Sequence, residues 1–170
     1  MTEPHTVEAW LHTYGPGLIR YAYSITNSSA AAEDAMEDAF AALLVKDGKF
    51  HDEQQLRSWL YKTTRNKAVD FLRRHRREQP LEDVENVIGT ETMEQGALLQ
   101  ERNRRLYLCL QELPLQYREV LELTYLEGFP IEAVCAILRK TKKQVYNLLA
   151  RAKVSLREKL IQEGITHEDI

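Results

Sequence analysis

A chain of 170 residues holds one ordinary domain or two small ones, and a composition of 29% charged and 44% hydrophobic residues excludes a disordered polymer. The formal net charge of −3 argues against a uniformly basic nucleic-acid binder, but it conceals a strong segregation of charge along the chain. No apolar run is long enough to span a membrane, and the polar, acidic start does not read as a signal peptide, so no membrane insertion and a cytoplasmic location are expected.

Strand signals are almost absent, and the chain reads as all-α. Val7 to about Thr26 carries Trp10, Leu11, Tyr14, Leu18, Ile19, Ala22 and Tyr23 at helical spacing, while Gly15, Pro16 and Gly17 predict a bend or a two-helix start. After the turn Asn27-Ser28-Ser29, with Ser28 or Ser29 placed to cap, a helix is expected over Ser29 to about Val45. Ala32, Ala35, Met36, Ala39, Phe40 and Leu43 form its apolar stripe, leaving Glu33, Asp34, Glu37 and Asp38 on the other side. That acidic side is either simply solvated or a docking surface for a basic partner. Lys46 to Gln54 then forms a polar loop, in which Phe50 either anchors into the core or stacks on an unpaired base.

A helix is expected from about Gln54 to about Arg76, and the stretch Arg57 to Arg77 is amphipathic at first and cationic at its end. Trp59, Leu60, Thr63, Ala68, Phe71 and Leu72 share one apolar stripe. Arg57, Lys62, Arg65, Lys67, Arg73, Arg74, Arg76 and Arg77 set eight cations against the single acid Asp70. A helix that only packs into a core needs some exposed charge but not this imbalance, and nucleic acid is the better-matched partner. Pro80 stops the helix, and an acidic linker follows, with Glu82, Asp83, Glu85, Glu91 and Glu94 and no Lys or Arg. This divides the chain into a first domain (1–78), a linker (79–94) and a second domain (95–170).

In the second domain, helices are expected from Gln95 to Glu112, from Pro114 to about Leu126, from Pro130 to Leu138, and from Thr141 to about Gln162. The last two, joined by Arg139-Lys140, have helix-turn-helix spacing. Val145, Leu148, Leu149, Ala152 and Leu156 give the final helix a buried face. Lys142, Lys143, Gln144, Tyr146, Asn147 and Arg151 then face outward on the half of such a helix that enters a major groove. Lys and Arg suit phosphates or guanine, and Gln and Asn suit adenine edges. Cys109 and Cys135 sit in apolar helical patterns and read as small buried residues, and the five histidines show no metal-ligand spacing. With no nucleophile–base pair and no Gly-rich phosphate loop, neither an enzyme nor a cofactor is expected.

With these elements placed, the chain resembles the extracytoplasmic-function (group IV) sigma factors of bacterial RNA polymerase. AEDAMEDAF (Ala32 to Phe40) resembles that family's polymerase-clamp-binding helix, and implies core-polymerase contacts by Glu33, Asp34, Glu37, Asp38 and Phe40. RSWLYKTTRNKAVDFLRR (Arg57 to Arg74) is similar to its minus-ten element, implying promoter contacts by Phe50, Arg57, Trp59, Lys62, Arg65, Asn66, Lys67, Asp70, Arg73 and Arg74. Leu113 to Glu158 looks like its minus-thirty-five domain, implying contacts by Thr141, Lys142, Lys143, Gln144, Tyr146, Asn147 and Arg151. The resemblance implies core RNA polymerase and promoter DNA as partners, with an anti-sigma factor as a third candidate. Three positions depart from the family pattern: Glu37 where Gln is frequent, Cys135 where Ala is common, and Arg139 where Gly is usual. The alternatives are a helix-turn-helix regulator that works without polymerase, and a sigma-like adaptor.

Overall fold

The computed structural model describes residues 4–46, 50–78 and 101–164, and every regular element among them is helical. In chain order these are α1 (Pro4–Thr26), α2 (Ser29–Val45), α3 (Glu53–Glu78), α4 (Glu101–Gln111), α5 (Leu115–Leu121), a π-helical stretch (Glu122–Leu126), α6 (Ile131–Leu138) and α7 (Lys142–Gln162). They fall into two compact units, one built on α1–α3 and one that holds α4, α5, the π-helical stretch, α6 as far as Cys135, and α7. The all-α, two-part architecture is the one expected. The acidic linker at 79–94 and the helix start at Gln95 lie outside the described residues.

In the first unit, α1, α2 and α3 all pack against one another. α2 buries Ala31, Ala32, Ala35, Met36, Ala39, Phe40 and Leu43, the whole expected stripe and one residue more. Ser28 is its N-cap, its Oγ accepting from the Ala31 N–H at 3.1 Å. Asp52 does the same for α3, its Oδ1 accepting from the Gln55 N–H at 2.8 Å, so this helix starts at Glu53. The Gln55 side chain in turn accepts from the His51 N–H. The Tyr14 hydroxyl shares a hydrogen bond with Glu53 and so links α1 to the start of α3. Burial first, and that bond second, push its pKa up to about 12.

Two expectations for this unit need correction. α1 runs as one helix through Pro16, so the two-helix start, one of the two outcomes expected from Gly15, Pro16 and Gly17, does not occur. An interior proline removes one helical hydrogen bond and crowds the carbonyl four residues back, at about 3 kcal/mol. Leu18, Tyr21, Ala22 and Ile25, all essentially inaccessible, secure the turns that follow it. At about 1.5–3 kcal/mol for each large apolar side chain, their burial outweighs that cost. The apolar seam of α3 is also displaced from the expected stripe. Leu56, Leu60, Tyr61, Thr64 and Ala68 are buried, whereas Trp59, Thr63, Phe71 and Leu72 are only half-buried. The row 56–60–64–68 faces the other two helices, and Tyr61 joins it because its ring lies 5.6 Å from that of Tyr21.

In the second unit, α4 and α5 both pack on α7. Cys109 and Leu160 meet with Leu106 and Leu156 around them. Lys159 pairs with Glu112 at 3.3 Å, and Arg105 donates to the Glu163 carbonyl at 2.8 Å. Both cysteines are free; Cys109 is buried, which raises its thiol pKa, and Cys135 is half-buried.

The helix expected over Pro114–Leu126 is α5 followed by a π-helical stretch, in which the Glu127 N–H reaches the Glu122 carbonyl at 2.8 Å. The widened turn leaves Tyr125 56% exposed and Leu126 45% exposed. It also accompanies two buried acids, Glu119 and Glu122, that the sequence pattern did not single out. The neighbouring Arg118 donates to the Gln111 carbonyl at 3.1 Å. Burial lowers the guanidinium pKa, and the carboxylates of Glu122 and Glu119 counter that shift.

α6 ends in a Schellman motif: the Lys140 N–H donates to the Cys135 carbonyl at 3.1 Å, and Arg139 takes the left-handed conformation at φ +57°. This is the position where glycine carries no steric penalty. Arg139→Gly is expected to stabilise the helix-turn-helix by about 1 kcal/mol, a rise of several degrees in its thermal midpoint. An unchanged or lower midpoint would mean that the Arg139 side chain makes a compensating contribution.

Candidate nucleic-acid interface

Three surfaces carry the residues singled out by the sequence. The first is the outer face of α2, where Glu33, Asp34, Glu37 and Asp38 are all exposed. The buried alanine stripe fixes them there, since helical periodicity leaves these positions nowhere else to point. Phe40 does not join them. It is 5% exposed and supports the face from beneath.

The second surface is on α3. Lys67, Asp70, Arg73 and Arg74 are exposed, and Arg57, Lys62, Arg65 and Asn66 are half-buried on the sides of the helix. Asp70 and Arg73 approach to 3.9 Å, but both are largely in solvent, so the pair does little to cancel the positive face. The Arg57 guanidinium lies 5.3 Å over the Tyr61 ring. At the start of the helix Phe50 meets Trp59 edge-on, with centroids 6.0 Å apart at 61°. The Lys46 ammonium sits 5.7 Å from the first ring and 5.5 Å from the second. Both aromatics are half-buried, so part of each ring stays open for stacking. Lys46 was not among the candidates from sequence. No helical or strand periodicity links positions 46, 50 and 59, and only the reversal of the chain between α2 and α3 unites them.

The third surface is the helix-turn-helix, α6 and α7. Thr141 caps α7 in a full capping box: its Oγ1 accepts from the Gln144 N–H at 3.1 Å, and Gln144 Oε1 accepts from the Thr141 N–H at 2.9 Å. Lys142 pairs across to Glu132 of α6 at 3.4 Å. The Glu132 carboxyl sits below its ordinary pKa, through a hydrogen bond from its own backbone first and Lys142 second. Lys143, Tyr146, Asn147, Ala150 and Arg151 are exposed along one side, opposite buried Val145, Leu149 and Ala152. Further along, the Lys153 ammonium lies 5.3 Å over the exposed Tyr125 ring. Among the described residues no group of His, Cys, Asp or Glu is placed to hold a metal ion, and no helix is long and apolar enough to cross a membrane.

Among the described residues, an all-helical fold with an acidic helix, a basic aromatic helix and then a helix-turn-helix defines a class of proteins that handle DNA in transcription. Residues 7–78 match the Sigma-70 region 2 family model and residues 103–156 match the Sigma-70 region 4 model. The chain belongs to the sigma-70 family, in its extracytoplasmic-function branch.

Among its relatives, the extracytoplasmic-function RNA polymerase sigma factor SigM of Bacillus subtilis is 25% identical over 166 residues, spanning 96% of this chain and 99% of the relative. A Xanthomonas campestris protein described as "Probable RNA polymerase sigma factor RfaY" is 31% identical over 148 residues, which are 83% of this chain and 37% of that longer protein. In fold, the chain is similar to the sigma factor RpoE of Bartonella quintana, solved in complex with the anti-sigma factor NepR. The TM-score is 0.66 at 21% identity, covering 90% of this chain and 95% of that one. It is likewise similar to CnrH, solved with the cytosolic domain of CnrY, at a TM-score of 0.65 and 21% identity, covering 94% of this chain and 90% of that one.

Proposed function

We propose that this protein is a transcription initiation factor that binds core RNA polymerase and directs it to promoters through their minus-ten and minus-thirty-five elements. The observation that carries this reading is the order of the two matched regions, each with a surface of the appropriate charge and chemistry. The division of labour follows the expected domains. Residues 1–78 engage polymerase and the minus-ten element, 79–94 connect, and 95–170 engage the minus-thirty-five element. The exposed carboxylates of Glu33, Asp34, Glu37 and Asp38 meet a basic surface of the core enzyme.

On α3, Arg57, Lys62, Arg65, Lys67, Arg73 and Arg74 hold the phosphates of the opening minus-ten element. Phe50 and Trp59 offer ring faces to an unpaired base, and Asn66 and Asp70 offer hydrogen bonds. α7 enters the upstream major groove. The protein acts by binding alone, without catalysis or cofactor of its own, in the cytoplasm where polymerase and chromosome meet. An anti-sigma partner, of the kind present with RpoE, would cover these same exposed charged faces.

The experiment that tests the division neutralises Lys142, Lys143 and Arg151 together. Binding to an upstream-element duplex is expected to weaken, and its salt slope to flatten by about 0.9 for each phosphate that is no longer neutralised. Affinity for core polymerase should stay unchanged. An equal loss of core affinity would contradict the assignment.

A further inference from the structure

The outward residues of α7 do not have equal freedom to read DNA, and this sets which base the helix can specify. This inference rests on the reading of α6–α7 as a DNA-binding element. Thr141 and Gln144 are engaged in capping: the Gln144 carbonyl accepts from the Thr141 N–H at 2.9 Å, and the Thr141 hydroxyl accepts from the Gln144 N–H at 3.1 Å. Lys142 faces Glu132 at 3.4 Å. The exposed side chains that remain on this face over the first three turns are Lys143, Tyr146, Asn147, Ala150 and Arg151.

Lys143, Asn147 and Arg151 recur every fourth residue and form one row about 12 Å long, a length that fits within a major groove. The two ends of that row are cations. They serve any phosphate, and at a base edge they favour guanine. Adenine presents an N7 acceptor beside an N6 donor. Its bidentate recognition therefore needs an amide whose carbonyl and NH2 are both available. Gln144 has spent its carbonyl on the cap. Asn147 is the other amide on this face of α7, and it is exposed.

We propose that Asn147 is the specificity-determining residue for an adenine in the upstream promoter element, with Lys143 and Arg151 on either side of it along the helix. Gln144, which the residue type alone also suits to adenine, is a positioning residue that fixes the start of the helix. Ala150 follows on the adjoining row, where its missing bulk leaves the helix free to approach the bases closely.

The test uses the full-length chain with core polymerase on a promoter library whose upstream element is randomised, with transcripts counted by sequence. The wild type is expected to show one position at which adenine is enriched. Asn147→Ala should bring that position to parity, a loss of about five- to a hundred-fold in preference, while other positions keep theirs. Gln144→Ala should lower the thermal midpoint through loss of the cap but retain the adenine preference. Adenine enrichment that survives Asn147→Ala, or that disappears with Gln144→Ala alone, would overturn the assignment while leaving promoter recognition in place. A wild type with no upstream preference at all would overturn the promoter reading, and the assignment with it.

Discussion

Replacing Arg118 with alanine is expected to unfold the second unit under conditions where the first remains native. Arg118 is half-buried beside Glu119 and Glu122, which are 3% and 2% exposed, and it donates to the Gln111 carbonyl at 3.1 Å. Burial lowers the guanidinium pKa, and the charges of Glu122 and Glu119 raise it again, so the cation and the two carboxylates influence one another directly. Removing the cation takes away the positive charge that these buried carboxylates feel, a change worth about 3–5 kcal/mol when a buried pair is broken. That is a large share of the stability of a domain this small.

The sequence supplies the means to see this unit by unit. Both tryptophans, Trp10 and Trp59, belong to the first unit, whereas helical circular dichroism reports on both. In urea, Arg118→Ala should lose part of its helical signal early while the tryptophan transition keeps its midpoint. Adding Glu122→Gln to that variant should recover part of the loss, because one of the two buried carboxylates is removed. Transitions that stay where they are in the wild type would mean that the cluster contributes no net stability.

The second large effect is on assembly. Asp34→Lys with Asp38→Lys reverses two exposed charges on one face of α2 and leaves its buried stripe intact, so the fold should be unaffected. If that face meets a basic surface of core polymerase, two repulsive juxtapositions replace two attractive ones, and affinity should fall by about 100-fold or more. Much of the fall should appear in the association rate, with a weaker dependence on salt. Binding of the same variant to an upstream-element duplex should match the wild type. Unchanged affinity for core polymerase would remove the docking role from this face.

The features legible in the sequence are those whose causes are local. The stripe of α2, the Ser28 cap, the Thr141 cap and the turn between α6 and α7 all depend on residues within four positions of one another. Arg139 stood out only through the resemblance, as a residue where Gly is usual, and its backbone is left-handed in the structure. Thr141-x-x-Gln144 is itself a capping-box spacing, although residue type alone suggested a base contact for Gln144.

What the sequence concealed depends on the rest of the fold. Pro16 looked like a helix breaker because its cost is local, while the burial of Leu18, Tyr21 and Ile25 that offsets it is tertiary. Trp59 seemed part of the α3 core because one more aromatic fits an apolar stripe, yet the helix is rotated so that Tyr61 is buried and Trp59 meets Phe50 and Lys46. The burial of Glu119 and Glu122 follows from the path of α5 into the π-helical stretch and from Arg118 beside them, which no periodicity announces.

The most direct test of the central claim is run-off transcription by purified core polymerase on genomic fragments, with and without this protein. Discrete transcripts are expected that appear only when the protein is present, that begin downstream of a shared pair of spaced elements, and that vanish with Asp34→Lys/Asp38→Lys. Core polymerase that binds the protein yet makes no new promoter-specific transcript would contradict that claim.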